Sequence, residues 1–319
     1  MTGSNTPFST KICRYGEAAI GEATALILAG ETVAVPTETV YGLAADATNG
    51  AAVARIYAAK GRPSFNPLIV HVRDLADVVA LATVDPLSAR LAAAFWPGPL
   101  TLVLPLVANG PIASLVTAGL ATVAIRCPAH RAMRALLAAT GRPLAAPSAN
   151  PSGAISATRA EHVMAGLGGR IAMIVDDGPT AVGIESTIVA CDGGVIRLLR
   201  PGPVTVAELE AAGGAPVVAA SGGAIEAPGQ LSSHYAPAKP LRIDVDAPAA
   251  GDFVIGFGAA VGDINLSARG DLIAAAAGLF DALHRADASD RRAIAVRPIP
   301  TTGLGEAIND RLRRAAHRD

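Results

Sequence analysis

Residues 32–43 read TVAVPTETVYGL, an apolar run that is followed by a polar segment. The β-branched and small side chains of residues 32–35 predict a buried strand, because such side chains pack well on a pleated sheet. Pro36 ends that strand, since proline cannot donate a ladder hydrogen bond. Residues 36–43 are interpreted as a loop leaving the strand. The alternative is an ordinary turn whose Thr and Glu side chains cap the next helix.

Helical and strand patterns alternate on both sides of this stretch. Residues 17–29 and 50–60 each carry apolar side chains on one helical face, and Gly61 is placed to end the second helix. Asp85 before Pro86 marks the start of another helix. The alternation predicts an α/β fold with some antiparallel pairing. Strands are predicted at 68–72, 100–104, 121–126 and 144–146, with a hairpin formed by 186–190 and 195–199.

A segment rich in Gly, Ala, Ser and Pro, residues 213–240, is interpreted as a linker. It separates a predicted domain over 1–212 from a smaller one over 241–319. The smaller domain reads strand, strand, long helix, strand, helix, which predicts a small α/β unit. Its long helix, over 271–286, is expected to bury one stripe of apolar side chains, formed by Leu272, Ile273, Ala276, Leu279, Phe280 and Leu283.

Composition limits the classes of function. Of the 319 residues, 51% are hydrophobic and 17% charged, which excludes a disordered chain. The net charge of −1 gives no bulk attraction for nucleic acid or an anionic membrane. Residues 91–125 carry no formal charge, but prolines interrupt them and no spanning helix is predicted. The absence of a signal-like start and the three widely spaced cysteines predict a protein of the reducing cytoplasm.

The common nucleotide and hydrolase motifs are absent. No P-loop, HExxH or GxSxG pattern occurs, and Gly256, Gly258 and Gly262 are spaced GxGxxxG, which is interpreted as a plain strand-to-helix turn. Conventional hydrolase and metalloprotease functions therefore lose support. Candidate chemistry has to come from short polar segments that lie where predicted elements end.

Each of these polar segments allows two interpretations. Residues 60–63, KGRP, bracket a glycine with two cations, which suits polyphosphate oxygens or, equally, the carbonyls at a helix end. Thr122 and Arg126 share a strand face, as in a polar cleft or a surface ion pair. Residues 147–153 offer small donors to an anion, or form an Asx or Ser turn. Arg200 is suited to bidentate phosphate binding.

In chain order, these segments closely resemble the YrdC-like domain of threonylcarbamoyl-AMP synthases. The shared motifs are PTETVYGL, KGRP, NPL, VAIRCP, PSAN, ST and RPG, over about residues 15–205. HYAP at 234–237 and GLGEAINDRLRRAA at 303–316 look like the long form of that family, which has a further domain. The resemblance implies a YrdC-like twisted mixed sheet with helices around an open, positively charged cavity, plus a small C-terminal Rossmann-like α/β domain.

The resemblance also implies a reaction and its site. L-Threonine, bicarbonate and ATP would give threonylcarbamoyl-AMP and pyrophosphate, and a separate transferase would then modify an adenosine of tRNA. The motif positions implied to hold threonine are Thr39, His71, Arg126, which would pair with the carboxylate, Ala146 and Ser186. Those implied to contact ATP are Arg62, Asn66, Thr122, Ser148, Ser156, Arg200 and either His234 or Tyr235, with Lys60 as an additional phosphate contact.

The implied chemistry needs no protein nucleophile, because a carbamate of threonine attacks the α-phosphorus of ATP. Lys60, Arg62, Arg126 and Arg200 would offset the repulsion between anionic reactants. Mg²⁺ is expected with the phosphates, but the motifs contain no carboxylate pair that marks its ligands. The second domain is expected to close over the cavity as a lid.

One segment differs from the family pattern, and two other functions remain to be compared. The family linker commonly reads like SPG, with a Met and a basic residue, before HYAP, whereas residues 227–233 read APGQLSS and lack the hydroxyl of SPG and the positive charge.

An RNA-binding module would use the basic cavity. The net charge of −1 disfavours direct RNA binding, and this function would leave the threonine set unexplained. A carbamoyl-adenylate enzyme, similar to the YrdC-like domain of hydrogenase maturation proteins, would start from carbamoyl phosphate, although such domains usually lie within much larger proteins.

Overall fold

The computed structural model describes residues 9–220, 226–228 and 234–317. Within these ranges the chain forms one large mixed sheet and one small parallel sheet, each covered by helices. Among the described residues, the large sheet contains eleven strands: β1 (Lys11–Arg14), β2 (Val33–Pro36), β3 (Tyr41–Asp46), β4 (Ile69–His71), β5 (Leu100–Pro105), β6 (Thr122–Arg126), β7 (Leu144–Ala145), β8 (Met173–Asp176), β9 (Thr187–Asp192), β10 (Val195–Arg200) and β11 (Val217–Ala219).

The large sheet has the order β1-β8-β2-β3-β7-β4-β6-β5-β9-β10-β11. β4 is parallel to β6, β5 is antiparallel to β6, and β5 is parallel to β9. This register places His71, Arg126 and Thr101 side by side across three strands. Polar side chains from distant parts of the sequence therefore meet in one row at the ends of the strands.

Residues 33–46 form a β-hairpin. β2 confirms the predicted strand, but the interpretation of residues 36–43 as a loop is wrong from Tyr41 onward, where β3 pairs antiparallel with β2. The turn is closed by Thr37, whose hydroxyl accepts from the amides of Thr39 and Val40, both at 3.2 Å, and donates to the Val40 carbonyl at 2.7 Å. The polar residues PTET form a tight turn and not a long loop, so the second strand begins sooner than the polar sequence indicates.

Helices cover both faces of the large sheet. As predicted, Asp85 caps a helix by accepting from two backbone amides, and Gly61 ends another in the left-handed region at φ 60°. The helices over this half of the chain are α1 (Glu17–Leu28), α2 (Gly50–Lys60), α3 (Leu75–Val78), α4 (Pro86–Phe95), α5 (Ser114–Thr117), α6 (Arg131–Thr140), α7 (Ala160–Leu167) and α8 (Val206–Gly213).

The C-terminal part is a small α/β unit, as its pattern predicts, with one additional short strand at 264–265. Its sheet has the order β12-β15-β13-β14, and every pair is parallel. The glycine-rich stretch is a turn in which a Cβ at Gly256 would lie 2.3 Å from the Ala260 carbonyl oxygen. The interpretation of it as a strand-to-helix turn is wrong, because the turn leads into the short strand at 264–265. The elements are β12 (Leu241–Arg242), β13 (Asp252–Gly256), β14 (Ile264–Asn265), α9 (Leu272–Ala288), β15 (Ala293–Val296) and α10 (Leu304–Ala316).

The apolar stripe of α9 is correct except at Ile273, whose side chain is 71% exposed. At about 100° per residue, Ile273 lies roughly 120° around the helix from Leu279, which is in the middle of the buried face. Ala275, Ala282 and Ala286 complete that face instead. Ile273 is three residues from the buried Ala276, but this spacing does not place its side chain on the buried face.

The predicted linker contains ordered backbone. β11 lies inside it and pairs parallel with β10. The Ala236 amide donates to the Gly153 carbonyl at 2.8 Å, and both His234 and Tyr235 are buried. Of the segment that differs from the family pattern, residues 229–233 lie outside the described residues.

Candidate active site

A partly open cavity lies where strands of the large sheet meet the turn after β2 and the start of β9. One side presents hydroxyls and an imidazole, and the other presents guanidinium groups. The lining comprises Thr37, Thr39, Val40, Gly42, Arg62, Ile69, His71, Arg126, Ala146, Pro147, Ser148, Glu185, Ser186, Arg200, Pro228, His234 and Tyr235.

Arg126 organises the hydroxyl side of the cavity. Its Nη1 donates to the Thr39 hydroxyl at 2.8 Å, its Nη2 to the Glu38 carboxylate at 2.6 Å, and its Nε to the Gly98 carbonyl at 3.2 Å. The guanidinium carries five N–H groups, so two remain for a ligand. A planar pair of donors of this kind suits a carboxylate.

Glu38 neutralises Arg126 from behind. Burial alone would raise the pKa of the Glu38 carboxyl, but the charge and hydrogen bond of Arg126 hold it below the usual value. The second carboxylate oxygen accepts from the Ala129 amide at 3.0 Å. The ion pair is therefore a satisfied, buried unit that fixes the guanidinium plane in the cavity wall.

His71 is held neutral. Burial, and then the neighbouring Arg126, lower its pKa to about 3. Its Nδ1 is buried and has no hydrogen-bond partner among the described residues. A neutral imidazole in the wall of the cavity can donate or accept at one nitrogen, according to its tautomer, which suits a small polar ligand.

Arg200 and Arg62 form the cationic side. Arg200 donates to the Ser186 carbonyl through Nε and Nη2, at 3.1 and 2.9 Å, and to the Ser186 hydroxyl at 3.1 Å. Arg62 donates to the carbonyls of Asn66 and Pro67, at 3.2 and 2.9 Å. Burial lowers the pKa of both guanidinium groups, that of Arg62 to about 10. Both side chains are therefore oriented by backbone carbonyls and lack a carboxylate hydrogen-bond partner among the described residues.

Lys60 lies behind this side rather than in the lining. It ends α2, and its Nζ donates to the carbonyl of Ser148, at 2.5 Å, and to that of Asn150. Burial lowers its pKa well below the usual value. Lys60 therefore fixes the backbone of the PSAN segment behind the cavity.

The HYAP segment covers the cationic side. The His234 Nδ1 and the Tyr235 hydroxyl are both buried without a hydrogen-bond partner in the described structure. Burial first, and then the charges of Arg62, Lys60 and Arg200, lower the pKa of His234 well below its usual value. Buried polar atoms without partners are rare in native structures, so these two atoms beside several cations indicate a site for a bound anion.

The structure brings most of the sequence-predicted residues together. Thr122 is the exception, because it lies at the opposite end of β6, roughly 13 Å from Arg126 at 3.3 Å per residue. An alternating sequence pattern shows that two residues lie on the same face of a strand, but it does not show that they lie at the same end of that strand. All five residues predicted for threonine line the cavity, as do Arg62, Ser148, Arg200, His234 and Tyr235, whereas Lys60, Asn66 and Ser156 lie behind the lining.

Sequence reasoning missed the two carboxylates of the site, Glu38 and Glu185. Glu38 stands inside the PTETVYGL motif and Glu185 directly precedes the ST motif, but neither position indicates that the carboxylate is buried against an arginine. The partner of Glu185, Arg311, comes from the last helix of the chain. Pairing across 126 residues has no local sequence signal.

The described residues provide no protein-held metal centre. No group of three or more His, Cys, Asp or Glu side chains with metal-binding geometry occurs among them. The carboxylates at the cavity, Glu38 and Glu185, are each paired with an arginine. The donor set therefore does not fit a resident divalent cation, because such cations prefer free carboxylate oxygens.

A cavity that is cationic on one side and hydroxyl-rich on the other suits an enzyme that binds a polyanion beside a small polar substrate. A Sua5/YciO/YrdC family model described as "Telomere recombination" matches residues 25–202, and one described as "Threonylcarbamoyl-AMP synthase, C-terminal domain" matches residues 204–317. The chain therefore belongs to the threonylcarbamoyl-AMP synthase family, whose members are ATP-using nucleotidyl-transfer enzymes.

Individual relatives agree over almost the full length. The chain is 44% identical to threonylcarbamoyl-AMP synthase of Bacillus subtilis, over 93% of this chain and 92% of that protein. It is 39% identical to that of Pyrococcus abyssi, over 95% of each chain. The crystal structure of P. abyssi Sua5 complexed with L-threonine superposes with a TM-score of 0.87 at 37% identity, covering 96% of this chain and 98% of the other.

These findings confirm the resemblance, the fold class and the enzyme class inferred from the sequence. In the described part of the chain, no helix is both long and apolar enough to cross a bilayer. The roles of individual site residues remain predictions.

Proposed function

We propose that this chain makes threonylcarbamoyl-AMP from L-threonine, bicarbonate and ATP, with release of pyrophosphate. The observation that carries the proposal is the meeting of five predicted threonine contacts with buried, carbonyl-anchored arginines in one cavity. A P. abyssi relative was crystallised with L-threonine, which supports the same substrate for this chain.

Threonine binds on the hydroxyl side. The two unused N–H groups of Arg126 pair with the carboxylate, and the hydroxyls of Thr39 and Ser186 with the Nδ1 of His71 provide neutral partners. The buried Ala146 provides an apolar wall for the substrate methyl group. A neutral His71 suits this arrangement, because an imidazolium beside Arg126 would add a second buried positive charge.

ATP binds on the cationic side. Arg62 and Arg200 line the cavity and contact phosphate oxygens, and Lys60 adds charge from behind the PSAN backbone. Ser148 contributes from that backbone, and the unpartnered polar atoms of His234 and Tyr235 close over the nucleotide. Ser156 acts through Glu185, to which its hydroxyl donates. The Asn66 side-chain amide is available to the nucleotide, because both of its polar atoms are buried without a hydrogen-bond partner among the described residues.

The reaction then proceeds by positioning and charge stabilisation. The amine of threonine and bicarbonate form a carbamate with loss of water. A carbamate oxygen attacks the α-phosphorus of ATP, the bond from that phosphorus to the bridging oxygen breaks, and pyrophosphate leaves. The arginines offset repulsion between the anionic carbamate and the phosphates, and burial excludes water from the labile carbamate.

Mg²⁺ would enter as part of the nucleotide substrate and would offset the charge of its phosphates, since the described residues offer no set of ligands for it. We expect chelation by EDTA to abolish turnover while leaving the melting temperature of the protein unchanged, because the described residues form no group of metal ligands. Thermal unfolding measured with and without EDTA tests this expectation. A loss of several degrees on chelation would contradict it.

The product would pass to a separate tRNA threonylcarbamoyl transferase in the cytoplasm. We propose the units 1–212 and 241–319 as domains, with 213–240 as the linker between them. The C-terminal unit acts as a lid that keeps water from the carbamate.

Pyrophosphate release tests the function. Purified protein with ATP and Mg²⁺ is assayed in degassed buffer, with threonine and bicarbonate each present or omitted. Release that requires both supports the proposal. Release from carbamoyl phosphate instead would support a carbamoyl-adenylate enzyme, and no release combined with RNA retained on a filter would support a binding module.

A further inference from the structure

The last helix of the chain inserts a charged side chain next to the cavity. Arg311 of α10 is fully buried. Its Nε donates to the Glu185 carboxylate at 2.7 Å, and its Nη2 to the Glu185 carbonyl at 3.3 Å. Its Nη1 donates to Asp310 at 2.7 Å, and Arg314 in turn holds Asp310 at 3.0 Å. The C-terminal unit thus reaches the wall of the candidate active site.

Glu185 has an unusual place for a carboxylate. It lines the cavity directly before Ser186, on the side that is proposed to take the ATP phosphates. Ser156 donates to its other oxygen at 2.5 Å. Burial alone would raise the pKa of Glu185, but Arg311 and then Arg200 lower it, so the group is held as a carboxylate.

A buried negative charge beside a polyphosphate is unfavourable unless a dedicated cation balances it. Two arginines act on Glu185, but only Arg311 hydrogen-bonds to it. Arg200 instead donates to Ser186 and to the Pro228 carbonyl. Without Arg311, the strongest remaining attraction for Glu185 is Arg200, one of the cations that ATP is proposed to use.

We propose that Arg311 is a positioning residue for ATP binding, which neutralises Glu185 and so leaves Arg200 available to the phosphates. The proposal rests on the assignment of Arg200 to ATP made above. It makes the C-terminal unit an electrostatic component of the nucleotide site in addition to a cover over it.

Four proteins test the proposal through the dissociation constant for ATP, measured by titration calorimetry at pH 8.0. They are the unmodified chain, Arg311→Met, the double variant Arg311→Met with Glu185→Gln, and Arg313→Met. Arg313 is an exposed arginine of the same helix and provides the matched control. We expect Arg311→Met to weaken ATP binding about tenfold or more, the double variant to recover most of that loss, and Arg313→Met to bind normally.

The pH dependence separates this role from a purely structural one. In Arg311→Met, loss of the guanidinium raises the pKa of Glu185, so protonation at lower pH removes the competing charge. Arg200, Lys60 and Tyr235 also face Glu185 and remain in this variant. ATP binding by Arg311→Met should therefore recover toward that of the unmodified chain as the pH is lowered. The double variant should follow the unmodified chain throughout.

Equal losses of ATP and threonine affinity in Arg311→Met, or no recovery in the double variant, would overturn the proposal. If Arg311→Met does not fold, Arg311→Lys provides the same test, since it keeps the charge but not the forked geometry and should weaken ATP binding less than tenfold. Because binding is measured without turnover, absence of pyrophosphate release would count against the proposed function and not against this inference.

Discussion

Arg126 and Arg200 show how the site divides its charges at the scale of single residues. Arg126 is paired with Glu38 and retains two N–H groups, whereas Arg200 is anchored on carbonyls. The first arrangement suits one carboxylate held in a fixed plane, and the second suits a polyphosphate that brings several negative charges. Each arginine should therefore affect a different substrate.

Arg126→Ala should raise the Michaelis constant for threonine at least tenfold with a small effect on that for ATP, and Arg200→Ala should do the reverse. The physical reason is that each variant removes the cation opposite one substrate. Steady-state pyrophosphate release, with each substrate varied in turn, measures both constants. Equal effects on the two substrates would refute the assignment.

Two controls accompany this pair of variants. Arg197→Ala lies on the same strand as Arg200 but pairs with Glu226 away from the cavity, so both constants should stay unchanged. Arg126→Ala leaves Glu38 buried without its partner and should lose ~3–5 kcal/mol of stability. Its kinetics are therefore read at a temperature where circular dichroism shows that it is folded.

That the five residues implied to hold threonine would meet could be predicted at this scale, because they stand in short motifs at the ends of elements. Their roles stay predictions. Thr122 could not be placed, since a period-two pattern gives the face of a strand and not the distance along it. Glu185 and Arg311 were not predicted as a pair because their contact depends on how two distant parts of the chain pack.

At the scale of elements, the loop before β9 connects α9 to the hydroxyl side of the cavity. The Val182 amide donates to the Glu38 carbonyl at 2.8 Å, and the Gly183 amide to the Thr39 carbonyl at 3.1 Å. Gly183 has φ +78°, and a Cβ there would lie 2.4 Å from the Ala276 carbonyl oxygen of α9. The backbones of α9, the loop before β9 and the turn after β2 are therefore in direct contact.

Gly183→Ala should destabilise the protein and raise the Michaelis constant for threonine, because the loop must move away from α9. Gly178→Ala is the matched control, since Gly178 also has φ +78° but open space at its Cβ position. The control should cost ~1–2 kcal/mol through backbone strain alone. Gly183→Ala should cost ~1–3 kcal/mol more through overpacking. Chemical denaturation measures both, and equal losses would show that the contact with α9 is unimportant.

Helix ends were predictable because Asp85 and Gly61 act through local chemistry, as a side-chain cap and a left-handed residue. β3 was missed because its polar neighbour PTET resembles a loop. β11 and the ordered HYAP segment were missed for another reason, since they pair with backbone edges that the rest of the fold provides.

At the scale of the whole molecule, two histidines meet where the N-terminal and C-terminal parts pack together. His162 of α7 stacks on His284 of α9 with ring centroids 3.8 Å apart, and Arg159 pairs with Asp281 beside them. Asp281 and Asp287 also face the pair, and the Ser156 carbonyl contacts the His284 ring at 3.0 Å. Burial, and then the charge of His284, lower the pKa of His162 to about 4, and burial lowers that of His284.

Stability should therefore fall as the pH is lowered. The unfolded chain takes up a proton on each histidine near pH 6.5, whereas the folded chain resists it, so the loss begins at about pH 6.5 and continues to about pH 4. His162 alone would contribute on the order of 3 kcal/mol, at about 1.4 kcal/mol per pKa unit. His162→Phe keeps a ring in the stack and should flatten the dependence of unfolding free energy on pH over this range.

The unmodified chain, measured over the same range of pH, is the reference for His162→Phe. An identical slope in His162→Phe and the unmodified chain would show that the stacked pair does not resist protonation.

Removal of residues 238–319 should leave a folded but less stable N-terminal part with greatly reduced turnover. Val40, Ile155 and Ile184 pack in the C-terminal core and would be exposed, at ~1.5–3 kcal/mol for each side chain, and Glu185 would lose Arg311. Thermal unfolding and pyrophosphate release measure the two effects. Unchanged turnover in the shortened chain would contradict both the lid and the electrostatic role of the C-terminal unit.

The order of elements in both halves was predictable, because hydrophobic period and turn residues are local. The way the halves share a core was not, since no sequence pattern indicates that Val40 of the PTETV turn packs with α9 and α10. The composition of 213–240 indicated a connection but not the contacts that it makes.

Val40 belongs both to the cavity lining and to the C-terminal core, and this affects how the enzyme would release its products. This side chain lines the cavity and is at the same time part of the C-terminal core. A rotation of the C-terminal unit that uncovers the nucleotide would withdraw the packing behind the threonine pocket in the same movement. One motion would thus loosen both ends of the bound adenylate, so the two halves of the product need no separate exits.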